Sequence, residues 1–368
     1  RVYAPAAGGR LLYRDDPDNA SGTVQTAIFY GADAYNANRS IYDQGVIINT
    51  PLTADADGNI YFGFIAKTAN PANLASGIAR VTADGRGSWV SVATASGEPT
   101  IEKVATNSAP AVSLDGRTLY VAVNTAPPGM ATGYLLALDT TTLATRGKIR
   151  LTDPNKQTPA WVNDNGTASP MVGPDGDVYF GVLEASPPSH NFTGWMLHFN
   201  ATLTQTKTPG AFGWDITPSV VPRAMVPTYT GTSSYLLMTK YNNYGGAGTG
   251  DGKNRIAILD PSQTQPDAVT GVPVMKEILS LLGLTPDPAY SGGVKEWCIN
   301  TAAVDPLTRS VLVNSEDGYL YRWDLSVNQF TERIRLNSGT AQSYTPTAIG
   351  PDGAVYSINN AVMFAVGR

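Results

Sequence analysis

GPDGDVYFGV (173–182) and GPDGAVYSIN (350–359) are one phrase written twice, and worn copies stand at DADGNIYFGF (55–64) and SLDGRTLYVAV (113–123). Each copy is an Asp-Gly turn followed by an aromatic, β-branched run. Gly accepts the positive φ of a tight turn, Asp caps the turn with its own side chain, and the run that follows has strand composition. The acids also raise a cation-loop reading. An EF-hand template with Gly58 at its sixth position puts Thr53 at position 1 and Phe64 at position 12, so that template fails. The phrase is turn chemistry for a repeated β-unit.

Just ahead of each turn sits a short polar word ending in Pro or Ala, at Pro51, Pro110, Pro170, Pro218, Ala302 and Pro346, with separations of 59, 60, 48, 84 and 44 residues. A recurring unit of this size indicates a propeller or related array. Inside a unit, a short strand such as AVSL (111–114) leads through the turn to TLYVAV (118–123). A third strand follows, such as YLLALD (134–139), WMLHFN (195–200), RIAILD (255–260) or YLYRWD (319–324), and then a weaker fourth such as RGKIRL (146–151). Four short antiparallel strands bounded by Gly, Pro and Asp describe a blade. The expectation is an all-β chain, a single β-propeller domain over residues 1–368 closed by its N- and C-terminal strands. At the N-terminus, residues 1–16 read as second and third strands with TVQTAIFY (23–30) as a fourth; the C-terminal stretch from Thr345 supplies strands one to three. Two second–third hairpins cannot share a blade, which gives seven blades. The residue count from Pro346 through both termini to Pro51 suits one generous blade, which gives six. Only PVMKEILSLLGL (273–284), inside the 84-residue interval, has helical spacing, and a short helical insertion is expected there.

The words P-x-x-x-x-DG-x-VY-x-G followed by LLALD-x-x-T resemble the PQQ-like (quinoprotein-type) β-propeller repeat family. The resemblance covers most of the chain and implies a propeller. Quinoprotein alcohol dehydrogenases hold their cofactor with features such as an adjacent cysteine pair. Cys298 is the only cysteine of this chain, so quinone binding does not follow.

Composition narrows the classes further. Of 368 residues, 15% are charged and the net charge is −5, with no basic run, so nucleic acid is excluded as a partner. No apolar run reaches membrane-span length. A chain poor in Lys and Cys and rich in Asn and Thr suits an extracytoplasmic protein, periplasmic or secreted, with its signal peptide removed. Sequons at Asn19, Asn38, Asn165, Asn191 and Asn200 are compatible with glycosylation. GGAGTGDGKN (245–254) fails the phosphate-loop pattern at Ala247 and Asn254, and no G-x-S-x-G elbow occurs. His190 and His198 are the only histidines: His198 sits in a strand word, and His190, in a loop, is the one free candidate base or metal ligand. No cofactor and no metal centre is expected, structural Ca²⁺ being the one ion the acidic turns leave open.

In a propeller, the loops entering the innermost strands converge on one face at the central channel. Here they are residues 33–50, 159–169, 211–217, 290–300 and 336–345, and they differ from blade to blade. They carry Trp161, Trp214 and Trp297 beside Asn163, Asp164, Asp215, Lys295 and Glu296. With Arg39, His190 and Tyr344 these residues form the candidate ligand site, because aromatic faces with clustered amides and carboxylates suit a glycan, a peptide or another polar small molecule. The alternative for the tryptophans is a structural wedge between blades. The expected function is an exported binding or scaffold protein. One alternative is a propeller lyase or hydrolase in which Asp164, Asp215 or Glu296 is the acid or base and Lys295 or Arg39 stabilises negative charge. Another is a protein–protein interaction platform in the cell envelope.

Overall fold

The computed structural model describes residues 1–67, 69–125, 130–164, 166, 168–338 and 342–367. The chain is a seven-bladed β-propeller built of small antiparallel sheets. Its residues fall into two compact units: Arg1–Leu151 with Trp161–Val172 and Asn200–Gln205, and Thr152–Ala160 with Gly173–Phe199 and Thr206–Arg368.

The first unit holds three sheets. Sheet 1 orders Val2–Ala6, Arg10–Arg14 and Gln25–Ile28. Sheet 2 is built on Ile60–Ala66, with Val46–Ile48 and Thr53–Ala54 along one edge and Gly77–Val81 then Gly87–Ser91 on the other. Sheet 3 repeats that plan around Thr118–Asn124, with Lys103–Val104, Ala111–Val112, Gly133–Asp139 and Thr145–Arg150. Phe29, Tyr42, Phe62 and Phe64 fill the space between sheets 1 and 2, and Tyr61, Val121, Leu136 and Leu138 that between sheets 2 and 3.

In the second unit, sheet 4 pairs Val178–Val182 with Trp195–Phe199. Sheet 5 orders Ser219–Pro222, Tyr235–Tyr241, Arg255–Pro266 and Pro273–Leu282. Sheet 6 orders Ala303–Asp305, Ser310–Asn314, Tyr319–Asp324 and Gln329–Arg335, and sheet 7 has Ala348–Ile349, Val355–Asn359 and Val362–Val366. The short strand Met171–Val172 falls where the chain passes from the first unit to the second.

Strand composition follows position in the blade. Val178–Val182 and Ser310–Asn314 are buried throughout, as a strand covered on both faces requires. The outermost strands Thr145–Arg150 and Gln329–Arg335 are exposed and carry Arg and Lys, which blunts a free edge. The repeated phrase is structural. Gly58, Gly116, Gly176 and Gly353 all take positive φ, between 72° and 86°. Each turn's aspartate accepts from its own turn: Asp115 from Arg117 N–H, Asp175 from Asp177 N–H and Asp352 from Ala354 N–H. In the first copy the capping acid is Asp55, which takes the Asp57 and Asn59 N–H groups, the Asn59 amide and the Tyr61 hydroxyl.

Strand order matches the expected plan, with three corrections. Segment 273–284 is not helical: Pro273–Leu282 is an extended strand paired with Arg255–Asp260 and Thr264–Pro266. Two register shifts in that ladder let the consecutive Val274 and Met275 both be buried, which blurs the period-2 pattern. A twelve-residue neighbouring strand supplies ladder partners for most of the segment, and this outweighs helical spacing. Short helices form instead at Ala32–Ala37, Arg39–Gly45 and Val92–Ser96, so the stretch expected as a loop at 33–50 is largely helix and strand. Four strands per blade do not hold throughout: among the described residues sheets 1, 4 and 7 have three strands each, and a broken inner strand gives sheets 2 and 3 five.

Candidate functional site

The densest cluster of ionisable side chains lies in the second unit. Asp215 comes from the loop ahead of Ser219–Pro222, Lys240 from the end of Tyr235–Tyr241, and Glu296 and Cys298 from the loop ahead of Ala303–Asp305. Glu316 comes from the turn between the second and third strands of sheet 6, and Tyr344 from the loop ahead of sheet 7.

Lys240 and Asp215 are both buried, with Nζ 3.6 Å from Oδ2 and the ammonium over the Phe212 ring. Glu316 accepts the Glu296 N–H at 3.0 Å and the Cys298 thiol at 3.7 Å. Burial, then the neighbouring Glu316 carboxylate, push the Glu296 carboxyl up from 4.5 to about 7. Burial likewise pushes the Cys298 thiol up to about 12, and the Tyr344 hydroxyl beside it is raised by Cys298 and by its own burial. Asn242 fixes the loop from below: its amide donates to Trp297 O at 3.1 Å and accepts Trp297 N–H at 3.2 Å. Chemically, the cluster offers a partly buried carboxyl that titrates near neutrality beside a second carboxylate, with Asp215 and Lys240 already opposed. Ligand atoms of Glu296, Cys298 and Glu316 lie within 4.8 Å of one another, so a divalent ion could be held here, but it would have to displace the proton of a buried thiol.

The site expected from sequence is partly assembled. Asp215, Glu296 and Tyr344 come together. Lys295 does not join them; it pairs with Asp287 at 3.3 Å. Trp297 takes the wedge role, its ring buried against Tyr321 and Phe330. Trp214 is half-buried, its N–H donating to Thr193 O at 2.9 Å. His190 is not the free base the sequence suggests. It is fully buried, stacked on Trp195 at 3.9 Å, with Nε2 on Asp267 and Nδ1 on Gly194 O and Thr193 Oγ1. His198 is packed as expected, stacked on Tyr179 and bonded to Asp177.

The remaining candidates belong to the first unit. Asp164 pairs with the buried Lys103 and accepts from Asn124. Burial opposes ionisation there, yet Lys103 holds the Asp164 carboxyl below its ordinary value. Trp161 and Asn163 are half-buried, and Arg39 is exposed, bonded to Asn36 and resting over Tyr35. Of the sequons, Asn191 is buried with its amide bonded to Asn243 and Thr249, which closes it to glycosylation; Asn165 lies outside the described residues.

Sequence inspection missed Lys240, Cys298 and Glu316. A signal existed only for Lys240, a lone cation in the apolar strand YLLMTKY.

No protein-family model matches this chain, and no curated protein matches it. Among solved structures it is similar to the quinohemoprotein alcohol dehydrogenase from Comamonas testosteroni, at 12% identity and a TM-score of 0.54, over 99% of this chain and 65% of that one. It is also similar to the C-terminal WD40 domain of Sif2 (12% identity, TM-score 0.47, 85% of this chain and 66% of that one). BamB from Moraxella catarrhalis matches at 14% identity and a TM-score of 0.41, over 99% of this chain and 92% of that one. The chain spans under two thirds of the length of the dehydrogenase and of the WD40 chain. At these identities the likeness concerns fold alone, and the match to the dehydrogenase agrees with the propeller architecture. Among the described residues, no helix is long and apolar enough to cross a membrane.

Proposed function

We propose that this protein is a β-propeller binding protein that takes a polar ligand bearing an ammonium-type cation at the Asp215, Glu296 and Glu316 cluster. One observation carries it: Glu296 and Glu316 stand side by side while Lys240, the buried cation of the cluster, is engaged by Asp215. A bound cation would relieve the repulsion between the two glutamates. Membership of the PQQ-like repeat family without its quinone-binding features, a single closed domain over residues 1–368, and export from the cytoplasm belong to the same proposal. They rest on the blade words and on the low-charge, Asn- and Thr-rich composition.

The raised Glu296 carboxyl fixes the sign of the pH dependence. A carboxyl raised from 4.5 to about 7 in the folded state binds its proton more tightly there than in the unfolded chain. Between those two values, stability therefore falls as pH rises, and above about 7 the ionised pair is ready for a cation. Putrescine is expected to raise the melting temperature more at pH 8 than at pH 6, and Glu296→Gln to remove both the difference and the intrinsic slope. Equal shifts at the two pH values would count against the assignment.

The enzyme reading keeps one specific support, since a carboxyl near neutrality is what a general acid or base requires. Among the acids considered for that role, Glu296 has this property, while Asp164 is held below its ordinary value. Turnover of a polysaccharide that disappears in a folded Glu296→Gln protein would favour it over simple binding.

A further inference from the structure

Sheet 5 differs from its neighbours in its outer hairpin. Strands Arg255–Pro266 and Pro273–Leu282 have 12 and 10 residues, whereas the third and fourth strands of sheet 6 have 6 and 7. The ladder shifts register between Asp260 and Thr264, and beyond that shift the hairpin lies against sheet 4, where Met275 N–H donates to Pro209 O at 2.8 Å. At its tip Asp267 reaches His190 Nε2 at 3.2 Å. The other Asp267 oxygen takes the Val269 and Thr270 N–H groups and the Thr270 hydroxyl, so the tip is firmly held.

Beneath this hairpin is a cavity of about 260 Å³, lined wholly by second-unit residues. The extra length of the chain's longest repeat interval thus builds a roof that the other sheets of this unit lack. One wall carries Tyr241 and Arg255, opposite one another in register, with Glu277 nearby. Asn243 and Gln265 add amides, and His190 stacked on Trp195 forms the base.

Which ligand fits depends on the groups that remain open. Asp251 is paired with Lys253 at 3.2 Å, and Asp267 is saturated as described. Among the described residues, the Arg255 side chain makes no ion pair or hydrogen bond and the Tyr241 hydroxyl makes no hydrogen bond. The Asn243 amide is engaged by Asn191 and Asp251, Gln265 Oε1 accepts the Glu277 N–H, and one Glu277 oxygen accepts from Ser280. The wall therefore presents an aromatic ring, a free guanidinium, the Gln265 amide N–H groups and the second Glu277 oxygen, with cations and carboxylates interspersed around them. A strongly charged ligand would meet like charge on this wall whichever its sign. A neutral ring with one apolar face and several hydroxyls meets a partner at each point: the aromatic face for its carbons, and guanidinium, amide and carboxylate for its hydroxyls.

We propose that the cavity under the sheet 5 hairpin is a binding site for one neutral sugar residue, with Tyr241 against the ring and Arg255, Gln265 and Glu277 around its hydroxyls. It uses none of the acidic-cluster residues, so either assignment can fail without the other.

The test is titration calorimetry with the methyl glycosides of glucose, galactose and N-acetylglucosamine, and with methyl glucuronide as the anionic arm. At least one neutral glycoside is expected to bind with a dissociation constant of about a millimolar. Tyr241→Ala and Arg255→Ala, each shown by circular dichroism to be folded, are expected to weaken it by about tenfold or more. Glu296→Gln should leave it unchanged. The proposal is overturned if no neutral glycoside binds, if the glucuronide binds more tightly than the neutral sugars, or if binding survives both cavity substitutions.

Discussion

Lys240→Ala is expected to lower the unfolding free energy by about 3–5 kcal/mol, because it removes the cation facing a buried carboxylate. Lys240 and Asp215 side chains are 2% and 8% exposed, so water cannot replace the lost partner without opening the loop. The pair Lys240→Met with Asp215→Asn removes both charges at similar volume and keeps a residue that tolerates the positive φ of position 215, and it should recover part of that loss. Urea denaturation of the two single variants and the double variant measures this directly. A coupling energy near zero would mean that the two side chains do not act as a pair. The same substitution bears on the site, since Lys240 counts among the groups that lower the Glu296 carboxyl. Without it that carboxyl should titrate higher still.

Trp195→Ala is expected to cost about 3–5 kcal/mol as a large-to-small core change. Trp195 is fully buried and lies parallel to His190, with an interplanar angle of 3°. Its removal leaves a void under the imidazole that Asp267 clasps from the hairpin side. Trp195→Phe keeps a ring in contact and should recover part of the loss. A cost below about 1 kcal/mol for the alanine variant would show that sheet 4 can collapse into the space, and that the stack contributes little.

The blade words were legible in sequence for a physical reason. Turn glycines with positive φ and fully buried strands are dictated within ten residues of chain, as in 173–182, and no long-range partner is needed to predict them. The segment Pro273–Leu282 was misread because Val274, Met275, Ile278 and Leu281 have helical spacing, while its strand state depends on pairing with the preceding strand of its own hairpin through a ladder that shifts register. The helices Ala32–Ala37 and Arg39–Gly45 are too short to be stable alone; they persist through Tyr35 and Tyr42 packing on sheet 1, which no local pattern announces.

Site residues divide along the same line. The loops ahead of the innermost strands bring Asp215, Glu296 and Tyr344, all named from sequence, into one cluster. Their true partners Lys240 and Glu316 lie on a strand end and in a strand–strand turn, and they meet the loops only through the packing of sheets 5 and 6 against each other. Lys295 was drawn away by Asp287, eight residues earlier in the chain, and His190 by the hairpin tip. Adjacency in sequence to a tryptophan did not predict which acids would cluster.

The central claim is that the variable loops of this propeller build a cation-binding site around Glu296 and Glu316. Titration calorimetry of putrescine at pH 8 into the native protein and into Glu296→Gln tests it most directly. The account predicts saturable binding at one site per chain, weakened by about tenfold or more in the variant, as loss of a charged partner in a partly desolvated site requires. Binding that is absent from the native protein, or unchanged in the variant, would contradict it.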